Sequence, residues 1–185
     1  MKASVHRDIQ GHIVRVGTID TDDSLNPIFT YDSEYCTSPT ASPLSHSLPL
    51  DARPYTLDEF RPYFEGLLPE GSALRAIAQS LGIDERDWLS MLFRCGLDCI
   101  GDVVVNLDAY EDDRGYRTLS SEEFAATFNQ MRSFVAVQEA SRLSLAGTQG
   151  KCGLYHDPSA SHENGWFVPY GGAPSNYIVK FSSEK

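Results

Sequence analysis

The chain has 185 residues, enough for one ordinary domain or two small subdomains sharing a core. Hydrophobic residues make up 41% and charged residues 22%, a globular balance that excludes a disordered chain. The net charge of −11 repels phosphate backbones, so direct nucleic-acid binding is not expected.

The first thirty residues read as strands. Val5–Arg7 and Ile13–Val16 flank Asp8-Ile9-Gln10-Gly11, which suits a hairpin with glycine where φ must be positive. Ile28–Tyr31 is a third strand. Four prolines between Thr37 and Pro54 exclude a regular helix there and predict an extended path. Helices follow. Thr56-Leu57-Asp58-Glu59 is a capping box, with Leu57, Phe60, Phe64 and Leu67 on one face. Leu74, Ile77, Ala78 and Leu81 repeat the stripe, and Gly82 stops it. Asp84 is expected to cap a third helix that turns Trp88, Leu92 and Cys95 inward and ends at Gly96.

Val103–Val105 is a buried-strand run, and Glu111-Asp112-Asp113 a solvated acidic loop. Ser120-Ser121-Glu122-Glu123 forms a second capping box, opening a helix with Phe124, Phe128, Met131 and Val135 on one face. From Leu143 on, short apolar pieces separated by Gly, Pro and Asn suit an antiparallel sheet: Leu143–Leu145, Cys152–Tyr155, Trp166–Val168 and Tyr177–Phe181. The order of strands, helices, strand, helix and strands is α+β.

No apolar run reaches the roughly 20 residues a membrane helix needs, and the first residues hold no apolar export core. The reading is therefore cytoplasmic, with no membrane partner. Cys95 and Cys99 lack the spacing of a redox or zinc pair; with Cys36 and Cys152 they read as reduced, buried thiols. His156, Asp157 and His162 sit among loop residues and are expected to be exposed rather than metal-bound.

The chemistry-bearing segment is Ser144-Leu145-Ala146-Gly147-Thr148-Gln149-Gly150-Lys151. Small residues let backbone N–H groups approach phosphates, and the lysine adds a neutralising charge. It is not a Walker A loop: the glycine spacing is too short, and Cys152 stands where Ser or Thr would hold magnesium. A glycine-containing hairpin with a surface lysine stays open on these residues alone. Pro174–Lys180 then reads as a strand ending in Lys180, and kinases place a phosphate-contacting lysine on such a strand.

Five blocks, in order, resemble those of HipA-type serine/threonine kinases, the toxins of bacterial toxin–antitoxin pairs. They are Pro43-Leu44-Ser45-His46-Ser47-Leu48-Pro49-Leu50, Phe64–Gly71, Gly96–Gly101, Ser144–Lys151 and Pro174–Lys180. The resemblance implies an N-terminal subdomain over 1–108, an acidic loop and connecting helix over 109–140, and the start of a kinase-like antiparallel N-lobe sheet over 141–185. It implies that Ala146, Gly147, Thr148, Gln149, Gly150 and Lys151 form a phosphate-binding loop, that Lys180 contacts ATP, and that Ser144 is autophosphorylated. The sequence departs from the family pattern at Thr148, at Asn176-Tyr177 and at Asp102.

Family kinases carry their catalytic-loop Asp and magnesium-holding residues in a helical C-terminal lobe, and only five residues follow Lys180. These 185 residues are thus expected to be inactive alone and to bind nucleotide weakly or not at all. For the intact enzyme the resemblance implies ATP and magnesium, a HipB-like antitoxin, and a protein substrate, glutamate–tRNA ligase in known relatives. The alternative is a stand-alone, non-catalytic regulatory subunit that binds a separate HipA-type kinase.

Overall fold

The computed structural model describes residues 2–21, 26–99, 101–106, 114–129, 143–144 and 151–180. Strands β1 (Lys2–Ile9) and β2 (His12–Asp20) form the expected hairpin, with both strands longer than their apolar runs. The two loop residues, Gln10 (φ 55) and Gly11 (φ 85), both take the left-handed conformation that matches strand twist. The Asp8 side chain locks the turn by accepting from the Gly11 amide at 2.7 Å. Strand β3 (Ile28–Tyr31) pairs with β2.

A short helix α1 (Ser33–Thr37), not read from the sequence, leads into the proline-rich stretch. Helix α2 (Leu57–Glu65) starts where the capping box places it: the Glu59 carboxylate accepts from the Thr56 amide at 2.8 Å and the Thr56 hydroxyl at 2.9 Å. Helix α3 (Gly71–Leu81) ends at Gly82, as expected. Helix α4 (Trp88–Cys95) is capped by Asp87, which accepts from the Ser90 amide at 3.1 Å, and not by Asp84. Asp84 instead accepts from the Arg86 amide at 2.9 Å in the preceding turn. Both aspartates precede the apolar stripe, and only the one adjoining the first helical residue can reach its free amides.

After β4 (Asp98–Cys99), the valine run forms β5 (Val103–Asn106), which pairs antiparallel with β1. The first sheet thus runs β3-β2-β1-β5. Its inner face buries Ala3, Val5, Val16, Ile19 and Phe29 against Phe60 and Phe64 of α2 and Trp88 and Leu92 of α4. Phe29 lies at the centre, 4.9 Å from the Tyr31 ring and 5.5 Å from Phe64.

The second half contains β6 (Gly115–Thr118), α5 (Ser121–Asn129), β7 (Leu143–Ser144), β8 (Lys151–His156), β9 (Trp166–Tyr170) and β10 (Tyr177–Lys180). The second capping box opens α5: the Ser120 amide donates to Glu123 at 3.0 Å and the Glu123 amide to the Ser120 hydroxyl at 3.1 Å. Phe124 packs on Trp166 at 4.9 Å, whereas the side chains of Phe128, Met131 and Val135 lie outside the described residues. The second sheet runs β10-β8-β9-β6, antiparallel throughout, and buries Leu119, Cys152, Leu154 and Val168. The fold is α+β. Among the described residues, no helix is long and apolar enough to cross a membrane.

The sequence reading named no strand at β4 or β6, and it assigned β7 to the wrong sheet. β7 does not join the second sheet; it pairs in parallel with β4, Leu143 opposite Asp98 and Ser144 opposite Cys99. The two halves also meet where Arg114 reaches Asp8 at 3.6 Å.

Candidate functional site

β8 and β10 are antiparallel neighbours whose register runs Leu154↔Tyr177, Gly153↔Ile178, Cys152↔Val179 and Lys151↔Lys180. Alternation assigns Cys152, Leu154 and Val179 to the core face, where they pack with Val168 and Leu119. Lys151, Gly153, Ile178 and Lys180 therefore share the other face. Directly opposed residues on one face have Cβ atoms about 5 Å apart. The two lysines thus leave the sheet side by side, Lys151 half-buried and Lys180 exposed. Glycine at 153 leaves backbone, not side chain, next to the pair.

Ala146, Gly147, Thr148, Gln149 and Gly150 lie outside the described residues. The segment's two ends are described. It leaves from Ser144, on the strand held by β4, and returns into the sheet at Lys151. Ser144 is thereby tied to the first half of the molecule, and Lys151 to the second.

A cavity of 490 Å³ lies next to β10. Its walls include Asp8, Cys99 and Asp102 from the first half and Tyr177 and Ile178 from the second. Nothing in the sequence points to it, since it forms only where distant segments meet.

The model of the HipA N-terminal domain family matches residues 8–106, more than half of the chain. The chain belongs to the HipA family. It is 30% identical over 161 residues to Y4mE of Sinorhizobium fredii, named as a candidate kinase, covering 82% of this chain and 37% of that protein. It is 28% identical over 142 residues to the serine/threonine-protein kinase toxin HipA of Shewanella oneidensis, covering 75% of this chain and 31% of the toxin. An uncharacterised protein of Haemophilus influenzae is 34% identical over 77 residues, which cover 42% of this chain and 69% of that shorter relative. The chain thus spans about a third of the length of the two kinase-named relatives.

The HipA-like block 43–50 is held by buried tyrosines rather than by regular structure. The Tyr31 hydroxyl donates to the Leu48 carbonyl at 2.7 Å and accepts from the Leu44 amide at 2.9 Å. Burial pushes the Tyr31 phenol up to about 12, so it remains a donor at any physiological pH. The Tyr55 hydroxyl donates to the Pro49 carbonyl at 2.5 Å. Tyr31 and Tyr55 thus anchor this block by its backbone.

The Asn176-Tyr177 departure also has a physical account. The Asn176 amide grips the backbone of His156: Oδ1 accepts from its N–H at 2.8 Å and Nδ2 donates to its carbonyl at 2.9 Å. The side chain thus adds one more rung to the β8–β10 ladder. His156 is buried, not exposed as expected, and its Nε2 lies 3.2 Å and 3.1 Å from the carbonyls of Ser161 and Asn164. It organises the loop before β9. Among the described residues, no group of three or more His, Cys, Asp or Glu could hold a metal ion. The four cysteines are free, Cys36 half-buried and the other three buried. Burial pushes the Cys152 thiol up to about 12, so it is no nucleophile.

Proposed function

We propose that this chain is the N-terminal part of a HipA-like serine/threonine kinase toxin of a type II toxin–antitoxin system, working in the cytoplasm. On this reading residues 146–151 and Lys180 bind the phosphates of ATP. The observation that supports it is the register that sets Lys151 opposite Lys180. Like charges directly opposed across an antiparallel pair repel. A nucleotide phosphate reaching both ammonium groups turns that repulsion into two charge-assisted contacts. Backbone N–H groups of the small-residue loop add donors without a charge of their own. Mg²⁺ would arrive with the nucleotide, and no described residue is assigned to it.

Ser144 fits the same scheme as a switch. Phosphorylation there would add nearly two negative charges one short loop away from the lysine pair, in competition with the nucleotide. It would also load the strand that pairs with β4. The expected result is displacement of the loop and loss of ATP binding. Partners on this reading are the remaining kinase lobe, a HipB-like antitoxin and a protein substrate such as glutamate–tRNA ligase. On this reading the catalytic loop belongs to the remaining lobe, and residues 1–185 by themselves would bind phosphate without transferring it.

An NMR titration of these residues with MgATP tests the reading. Weak, saturable shifts are expected around Lys151 and Lys180, and Lys180→Met should abolish them. Shifts that map elsewhere, or that survive Lys180→Met, would overturn it.

A second reading is favoured by the short Haemophilus relative, 69% of which is accounted for by 77 matched residues. On that reading the chain is a non-catalytic regulatory subunit that binds a separate HipA-type kinase. The genomic sequence beyond codon 185 separates the two. A continuous kinase lobe supports the first; a separate kinase gene that copurifies with this chain supports the second.

A further inference from the structure

Segment 64–71 turns from α2 into α3, and its buried members, Phe64, Leu67 and Leu68, belong to the core. Its exposed members are not explained by packing. Together with the start of α4 they border a groove of 340 Å³. Leu68, Leu74 and Trp88 line it together with Glu65, Glu70 and Glu85, and all three glutamates are exposed. No lysine, arginine or histidine is among the lining residues.

Arg61, one turn from Glu65, shows which chemistry the groove's residues accept. Its guanidinium pairs with Glu65 at 2.8 Å and lies 5.7 Å from the centre of the Trp88 ring. Two of the groove's residues, Glu65 and Trp88, thus already hold a cation between a carboxylate and an indole just outside it. Glu70 and Glu85 are exposed and have no ion-pair partner among the described residues.

We infer that this groove docks a basic amphipathic helix of a partner protein, with apolar side chains against Leu74 and Trp88 and Lys or Arg on Glu70 and Glu85. A groove formed by helix ends and lined by apolar side chains suits a helix that presents anchors at i, i+3 and i+4. Charge decides the occupant. With a net charge of −11, a second copy of this chain is repelled, and so are nucleic acid and anionic membrane surfaces. A basic helix is drawn in by the overall field and then fixed by two carboxylates. This inference does not depend on the nucleotide reading, since the groove lies on the first half of the chain.

The probe is a fluorescent synthetic amphipathic helix of Leu and Lys, with a Leu and Glu helix of the same pattern as its counterpart. Anisotropy titrations would use the 185-residue protein, the groove variant Glu70→Lys/Glu85→Lys, and the charge-matched control Glu122→Lys/Glu163→Lys. Each double variant puts one lysine at a helix N-terminus, Glu70 at the start of α3 and Glu122 in the first turn of α5, so both should stay folded with small, similar drops in melting temperature. The basic helix should bind the parent and the control alike, about tenfold more weakly to the groove variant, and more weakly as salt rises. Leu74→Gln should weaken it as well. Equal weakening by the groove variant and the control would reduce the effect to net charge and overturn the proposal. Comparable binding of the acidic helix, or no binding of the basic one, would also overturn it.

Discussion

Arg7 and Asp102 tie the first strand to the turn that precedes β5. The guanidinium meets the carboxylate through Nη2 at 2.6 Å and Nε at 2.7 Å, while the Asp8 amide donates to the Asp102 carbonyl at 2.7 Å. Arg7 also reaches Tyr35 and Ser42, and so links the sheet to the proline-rich stretch. Burial works against the Arg7 charge, but hydrogen bonds from the guanidinium to Asp102 and Tyr35 outweigh it and raise its pKa. Asp102, a departure from the pattern that the resemblance implies, is thus matched by an arginine on the adjacent strand. Asp102→Ala should cost about 2 kcal/mol, because it leaves a half-buried guanidinium short of its main acceptor. Arg7→Met should cost a similar amount, and the double variant less than the sum. Urea unfolding of the four proteins checks this; full additivity would deny the coupling.

His6 gives the fold a pH dependence of known sign. It is buried, and desolvation, followed by the charge of Arg15 on the paired strand, lowers its pKa below 6.5 against a smaller opposing effect of Asp32. The unfolded chain therefore takes up a proton near 6.5 that the folded chain still refuses. Stability is complete above that value and falls as pH drops toward the lower folded value, by at most about 1.4 kcal/mol per pH unit. Glu59 and Asp84 are held down to about 2, so they titrate well below this window. Urea midpoints should fall between pH about 7.5 and about 5.5 in the parent, and His6→Gln should flatten that change. An unchanged slope in the variant would remove His6 as the cause.

Local chemistry was legible in the sequence wherever it was decided within one turn. Both capping boxes, the Gly82 stop and the Gln10-Gly11 hairpin depend on residues no more than three or four positions apart. The amphipathic stripes of α2 and α3 follow from the same short range. What escaped depends on distant partners. β6 has a largely exposed pattern with no apolar alternation, and only pairing with β9 makes it a strand. β7 has two described residues and finds its partner in β4, forty-five positions away in sequence for each pair. The two lysines were legible as candidates, but their opposition was not. It follows from a register set by the whole path through β9, and by Asn176 holding the start of β10.

That anchoring role makes Asn176 a sensitive position despite its exposure. Asn176→Ala removes two hydrogen bonds at once and takes away the Asn176 partners of the His156 N–H and carbonyl at the end of β8. A loss of about 1–2 kcal/mol is expected, with faster amide exchange at His156 and through β10. Asn176→Asp keeps the acceptor but loses the donor, so it should retain roughly half of the effect. If exchange rises uniformly over both sheets instead, the clamp is not local and the register argument fails.

Lys180 should reveal a site through opposite effects on stability and binding. A residue kept only for folding destabilises when it is removed. Lys180 stands opposite Lys151, and like charges in that relation cost about 0.5 kcal/mol. Lys180→Met should therefore leave stability unchanged or raise it slightly at low salt. Lys180→Glu should raise it further by forming an opposite-charge cross-strand pair with Lys151. Both gains should shrink as salt screens the exposed charges. Nucleotide-dependent NMR shifts should vanish in both variants. Chemical denaturation at low and high ionic strength, run beside the MgATP titration, separates the outcomes. If both variants lose stability, Lys180 supports the sheet, and the case for a phosphate site loses its main support.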